Sequence, residues 1–292
     1  MNIAILTADP SNYSNRRMIE AGRELGHNVY PLLTLHQRLD VDAQAFLERL
    51  SPRPDAVIPR IGVPLSGLGR CLITAFEGAD IFTMTSSCGL AHSRDKFLAG
   101  QVLHKAGLAM PKTLTFSHPG QIDEAIRAIG GYPFIVKRLK GTGGKAVRLI
   151  NDVDKAHKRL GKYISKRKPF LIQEFIKEAK GSDLRVFVVG GRVIAAMRRV
   201  AADDDFRANI HAGGHGENVK LSPEEEACAL TAAKVLDLSI AGVDILRSAR
   251  GPLILEVNSS PGLQGIESTT EIDIAAEIIN YIAAQVKARA NG

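Results

Sequence analysis

Gly242-Val243-Asp244-Ile245-Leu246, followed after a short gap by Leu255-Glu256-Val257-Asn258-Ser259-Ser260-Pro261-Gly262, is the stretch on which the fold turns. It reads as two apolar strands joined by Ser248-Ala249-Arg250-Gly251-Pro252, a Gly/Pro cluster between β-rich segments. A hairpin centred on Arg250 sets Asp244 opposite Glu256, and strand alternation puts Asn258 on the same face one pleat further on. Two carboxylates and an amide then converge on an otherwise apolar hairpin, which is costly unless something neutralises them. Mg²⁺ meets that need, because it takes oxygen ligands from one or two carboxylates plus substrate phosphates. The alternative is a hairpin whose acids simply face water.

Around this hairpin, 292 residues leave room for about two domains and a large core. The chain is 45% apolar and 24% charged with no Trp, the composition of a soluble globular protein. Asn2-Ile3-Ala4-Ile5-Leu6-Thr7 is strand-like and lacks a basic leader, and no apolar stretch approaches the roughly 18 residues of a membrane span. Cys71, Cys88 and Cys228 are odd in number and scattered, which predicts reduced thiols in a cytoplasmic protein rather than disulfides or a zinc site. A net charge of +7 favours acidic partners. Part of the excess is concentrated in Lys155, Lys158, Arg159, Lys162, Lys166, Arg167 and Lys168, with no acid among them. That run is either a solvated helix face or a landing strip for an anionic partner.

Along the chain, strands at 2–7, 28–33 and 55–59 alternate with a helix from Arg16 to Gly26, predicting a small open α/β layer that ends near 86–89. It holds neither Gly-x-Gly-x-x-Gly nor a P-loop. A helix is expected around Arg94–Ala106. Gly131-Tyr132-Pro133-Phe134-Ile135-Val136-Lys137 is a buried strand ending in a lone Lys, and Lys140-Gly141-Thr142-Gly143-Gly144-Lys145 follows. Such a glycine hairpin is either a plain turn or a lid whose N–H groups close over phosphates. Strands are predicted at 169–176 and 181–190, turning at Gly190-Gly191 into 193–197. Asp205-Phe206-Arg207-Ala208-Asn209-Ile210-His211-Ala212-Gly213-Gly214 has no period and reads as a functional loop. Ser222 caps a helix with Pro223 at its first position.

Taken together, these segments resemble the RimK-type α-L-glutamate ligases of the ATP-grasp superfamily, nearly end to end. The resemblance is carried by Asp55-Ala56-Val57-Ile58-Pro59-Arg60-Ile61-Gly62, Ser93-Arg94-Asp95-Lys96, and Gln173-Glu174-Phe175-Ile176-Lys177-Glu178-Ala179. The Asp205–Gly214 string is the most specific, and the hairpin from Ala241 to Gly262 completes the set with Gly265-Ile266-Glu267. One departure is the glycine loop, where the family pattern Glu-Gly-Thr-x-Gly-x-Gly-Val is replaced by Lys140-Gly141-Thr142-Gly143-Gly144-Lys145-Ala146-Val147.

The resemblance implies an α/β protein of α+β subdomains: a pre-ATP-grasp α/β domain over 1–88, a central ATP-grasp subdomain with the lid over 89–172, and a catalytic subdomain over 173–292. It implies ATP between the last two, with Lys96 and Lys137 at the phosphates and the linker Gln173, Glu174, Phe175 and Ile176 around adenine. Asp183 would take the ribose. Asp244, Glu256 and Asn258 would hold two Mg²⁺ or Mn²⁺ ions. Arg199, Arg207, Ala208 and Asn209 match positions near the phosphates and acyl substrate, with Arg199 and Arg207 acting in catalysis. The implied reaction is carboxylate activation as an acyl-phosphate and attack by L-glutamate, on an acidic or C-terminal carboxylate acceptor such as a small-subunit ribosomal protein. A homo-oligomer, for instance a tetramer, and RNA contact through Lys155–Lys168 go with that reading. Rival readings are ligation to a small-molecule carboxylate and a non-catalytic ATP-binding regulator. Arg60 is a candidate for meeting the acceptor, or else half of an interdomain salt bridge. Asp244→Asn and Glu256→Gln are both expected to abolish ADP formation with the fold intact.

Overall fold

The run Ile3-Ala4-Ile5-Leu6 has no polar alternation, as a strand covered on both faces requires. A computed structural model, which describes residues 1–139, 147–179, 181–202, 206–208 and 213–291, places it at the centre of a parallel sheet. There β1 (Asn2–Thr7) lies between β2 (Asn28–Leu33) and β3 (Ala56–Arg60), with β4 (Phe82–Thr83) beyond β3. Helices α1 (Tyr13–Glu24), α2 (Ala43–Glu48) and α3 (Ser66–Gly78) connect the strands. Ala4, Leu6 and Val57 pack on Phe46 of α2 and Phe76 of α3. Ile3, Ile5 and Ile58 point the other way, into a core shared with the C-terminal half of the chain.

The helix expected around 94–106 is α5 (Lys96–Lys105), and a separate helix, α4 (Ser87–Arg94), precedes it. Asp95 makes the break. Its backbone is extended, and its carboxylate accepts hydrogen bonds from the N–H groups of Phe97 and Leu98, capping α5. The cap leaves Arg94 at the end of one helix and Lys96 at the start of the next.

The middle sheet is antiparallel: β5 (Thr113–Leu114) pairs with β8 (Phe170–Glu174), β8 with β6 (Phe134–Arg138), and β6 with β7 (Arg148–Ile150). It is backed by α6 (Ile122–Ala128) and α7 (Val153–Ser165), whose Ile122, Ile126, Ala156 and Leu160 meet Phe134 and Ile172. The division drawn from sequence at 172/173 falls inside β8, which pairs with β6 as far as Glu174.

The largest sheet consists of β9 (Ser182–Val189), β10 (Arg192–Val200), β11 (His215–Asn218), β12 (Ile240–Ser248) and β13 (Gly251–Asn258), in the order β11-β10-β9-β12-β13. Gly190 (φ +57°) and Gly191 (φ +74°) make the β9–β10 turn, both in the left-handed region that a two-residue hairpin favours. α8 (Pro223–Val235) opens as expected: the Ser222 side chain accepts from the Glu225 N–H, and the Glu225 carboxylate accepts from the Ser222 N–H. α9 (Gln264–Thr270) and α10 (Ile274–Ala290) complete the chain.

One face of this sheet is apolar throughout. Leu184, Val186 and Val188 of β9 join Ala241, Val243 and Ile245 of β12 against α8 and α5. The other face changes character along each strand. On β9, Val189 and Phe187 give way to Arg185 and Asp183; on β10, Ala195 and Met197 give way to Arg199; on β12, Ile240 and Gly242 give way to Asp244. The apolar end is sealed by α10 and the first sheet, and the charged end is left to do chemistry.

Candidate active site

The β12–β13 hairpin brings Asp244 opposite Glu256 and Gly242 opposite Asn258. Its turn alone would not. Ser248 faces Gly251 and Ile245 faces Ile254, a register that if continued would put Leu255 against Asp244. A bulge between Asp244 and Ile245 shifts the pairing by one residue and delivers the carboxylate instead.

Asp244 is then clamped by two arginines. Arg185 donates from Nε to Oδ1 at 2.5 Å and from Nη2 to Oδ2 at 2.9 Å, and Arg199 Nη2 lies 3.0 Å from Oδ2. Arg199 also forks onto Asp183, at 2.6 and 2.8 Å. The side chains of Asp183, Asp244 and Arg199 are 8, 8 and 9% exposed, so these pairs stand largely out of water. Burial pushes Asp244 upward, but the charges of Arg185 and Arg199 and their hydrogen bonds outweigh it and hold its carboxyl below the usual range. For Asp183, burial wins over Arg199, helped by the charge of Asp244, and its carboxyl is pushed up. Lys96, first residue of α5, reaches Glu256 with Nζ 2.7 Å from Oε1.

Lys137 closes the other side of the cleft. It sits one residue before the end of β6, is buried, and donates from Nζ to Gln173 Oε1 at 2.7 Å; Gln173 in turn donates to Thr113 Oγ1 at 2.9 Å. Burial and, to a lesser degree, the charge of Lys96 push its ammonium down to about 8, against the pull of Glu256, Asp244 and Asp183. Below pH 8 the ammonium is present for an anion. Above it, binding a phosphate must first restore the proton, so affinity falls as pH rises. Nucleotide affinity is expected to weaken about tenfold between pH 7 and 9, with Lys137→Met flattening that slope, as titration calorimetry would read directly.

Between the two sheets lies a cavity of about 660 Å³, large enough for a nucleotide. Leu108, Met110, Leu114, Leu171, Leu253 and Leu255 supply its apolar walls, while Lys96 and Lys137 supply charge. Of the expected adenine-binding segment, Gln173 lines the cavity. Glu174 turns its carboxylate to the Lys112 N–H (3.1 Å) and to Arg250 Nη2 (2.8 Å). Ile176 is buried beside Leu253, and Phe175 meets Phe206 edge-on at 6.3 Å between ring centroids. The Arg207 guanidinium stacks over Phe206 at 5.9 Å and Ala208 is buried, so residues 206–208 meet the 173–176 segment through Phe206. Asn209 and His211, with Asp205 and the glycine loop Lys140–Ala146, lie outside the described residues.

The oxygen donors suit a hard divalent cation: two carboxylates from facing strands, one of them firmly anionic, with the Asn258 amide on the same side. Among the described residues no three His, Cys, Asp or Glu side chains form a metal cage of their own. An ion here would draw its remaining ligands from phosphate and water. Sequence reasoning missed Arg185 and Arg250. Alternation on β9 puts Arg185 beside Asp183 and so marks it; nothing local marks Arg250, whose partner is 76 residues away.

Two family models divide the chain between them: a RimK pre-ATP-grasp domain over residues 1–90 and a RimK-like ATP-grasp domain over 93–282. The chain belongs to the RimK-like ATP-grasp family. It is 44% identical over 286 residues to a protein of Marinomonas sp. (strain MWYL1) named probable alpha-L-glutamate ligase, covering 97% of this chain and 95% of that one. The ATP-grasp ligase PsnB, solved with a minimal precursor, superposes with a TM-score of 0.78 at 22% identity, covering 97% of this chain and 98% of that one. A RimK domain ATP-grasp protein from Sphaerobacter thermophilus DSM 20745 superposes at 0.76 with 20% identity, covering 96% and 99%. Family and fold expected from the motifs are therefore confirmed, and this RimK-like ATP-grasp chain is an ATP-dependent ligase. No helix among the described residues is long and apolar enough to cross a membrane.

Proposed function

We propose that this ligase joins L-glutamate to the C-terminal carboxylate of an acceptor, with a small-subunit ribosomal protein as the first candidate. The observation that carries the reading is the convergence of Lys96, Lys137 and Arg199 with the Asp244–Glu256 pair at the rim of a nucleotide-sized cavity. A carboxylate approaching ATP meets like charge, and these cations offset it. Asp244, Glu256 and Asn258 would hold Mg²⁺ or Mn²⁺, two ions in the full reading, which neutralise the phosphates and fix them for in-line transfer. Lys137 and Lys96 bind the phosphates, and Arg199, beside Asp244, offsets the charge of the transferred group. An acceptor carboxylate oxygen bonds to the γ-phosphorus as the bond to ADP breaks. The glutamate amine then attacks the acyl carbon, phosphate leaves, and the amine's proton goes to solvent.

The exposed cations of α7 and the turn after it, Lys158, Arg159, Lys162, Lys166, Arg167 and Lys168, have no acid within 4.0 Å among the described residues. They give an acidic tail, or RNA beside it, a surface to follow. Cytoplasmic location and homo-oligomeric assembly belong to the same reading. Incubation with ATP, Mg²⁺, L-glutamate and purified ribosomal proteins, followed by intact mass, tests it. A ladder rising by one glutamyl residue per step on one protein is expected. ADP release without a ladder would redirect the acceptor to a small-molecule carboxylate, and no ADP release at all would overturn the reading.

A further inference from the structure

Two guanidiniums meet at the other end of the hairpin. Arg60, last residue of β3, donates from Nη1 to the Pro261 carbonyl at 2.7 Å. Arg94, last residue of α4, donates from Nη2 to Ser260 Oγ at 3.1 Å and to the Ile61 carbonyl. Ser260 Oγ in turn donates to the Pro59 carbonyl. The Ser260-Pro261 turn is pressed down by Gly242, where a Cβ would lie 2.7 Å from that of Pro261. It begins two residues after Asn258, so the arginines stand beside the proposed metal ligands but on the first domain's side.

Their electrostatics are unusual. Neither arginine has a carboxylate within 4.0 Å among the described residues, so Arg60 is not half of a salt bridge. Arg94 Nε is buried with no hydrogen-bond partner. Burial, and for Arg60 the charge of Arg94, push both guanidiniums down, Arg60 to about 10. Two like charges largely withdrawn from water, Arg94 with one buried donor unfilled and only the more distant Glu256 pulling it back up, favour an anion that joins them. A planar fork of N–H donors fits a carboxylate best.

We propose that Arg60 and Arg94 together bind a non-reacting carboxylate of the incoming amino acid and so hold it beside the phosphates. This rests on the glutamate-ligase reading. The reacting carboxylate belongs among Lys137, Arg199 and the metal ligands, at the phosphates. A peptide acceptor brings a backbone to be held by. A free amino acid has only its charges, and its amine must approach the phosphates from a neighbouring site such as this one.

The test is steady-state ADP release with Mg·ATP, a peptide ending in two glutamates as acceptor, and varied L-glutamate. Arg60→Met and Arg94→Met are expected to raise KM for glutamate about 30-fold or more while kcat and KM for ATP stay within threefold. Arg60→Lys, which keeps the charge without the fork, should fall between, and thermal unfolding of each variant controls for loss of fold. Glutamate-dependent ADP release with KM for glutamate unchanged in both Met variants, or a rise confined to KM for the peptide, overturns the inference and leaves the ligase reading standing. If the wild-type chain shows no glutamate-dependent ADP release with any acceptor, the ligase reading fails and the inference with it.

Discussion

Glu256→Gln will lower ADP formation by at least a hundredfold while leaving the melting temperature within a few degrees of the parent protein. The two halves of that expectation have different sources. For catalysis, Glu256 is one of two facing carboxylates in the proposed ion site, and the amide keeps its shape while removing the charge that competes for a divalent cation. Losing one fixed electrostatic element of this kind typically costs about 10²–10³ in rate. For stability, its only ion-pair partner among the described residues is Lys96, and the two side chains are 29 and 18% exposed. A partly exposed pair of this kind contributes about 1–2 kcal/mol, because water still reaches both ends and solvates whichever partner is left. Measured ADP release at saturating ATP, paired with differential scanning calorimetry, checks both halves. Turnover within tenfold of the parent would remove Glu256 from the ion site.

This contrast was only partly legible in the sequence. The alternation of Ile, Val and Leu around Asp244 and Glu256 is strong enough to define a hairpin, and the family motifs define the fold with it. The pairing of Asp244 with Glu256 was also expected, but from a turn centred on Arg250. The turn is in fact centred between Ala249 and Arg250, and a bulge compensates. A bulge leaves no mark in apolar spacing, so the correct pairing followed from an incomplete premise. At Asp95 the miss is small: the helix expected from about Arg94 starts at Lys96, because Asp95 caps it and Arg94 ends a separate helix. Partnerships are least legible of all. Arg185 reaches Asp244 across 59 residues and Arg94 reaches Ser260 across 166, and no local pattern encodes either distance. The first follows from sheet order, in which β9 lies between β10 and β12, and the second from the packing of α4 on the turn after β13.

Asp244→Asn will differ from Glu256→Gln by losing stability as well as turnover, contrary to what the sequence led one to expect of a simple ligand swap. In the folded chain Asp183 and Asp244 balance Arg185 and Arg199, two acids against two arginines, with Asp244 touching both guanidiniums. An amide in its place can accept one or two of those hydrogen bonds but neutralises neither charge, and its own NH₂ is turned toward a donor. Removing one partner from a buried ion pair costs about 3–5 kcal/mol, chiefly because the other charge stays buried and uncompensated. In a chain of this size that corresponds to a fall in melting temperature of roughly 6 °C or more. The same substitution should also abolish the extra stabilisation that Mg·ADP confers on the parent protein, since the site that would couple the ion to the fold has lost its most firmly ionised ligand. Asp244→Ala, which leaves no amide donor facing the arginines, should be no more stable than the Asn variant if the missing charge dominates. Melting curves with and without Mg·ADP decide the matter. An Asn variant that melts with the parent would show that Arg185 and Arg199 are solvated or rearranged rather than held by Asp244.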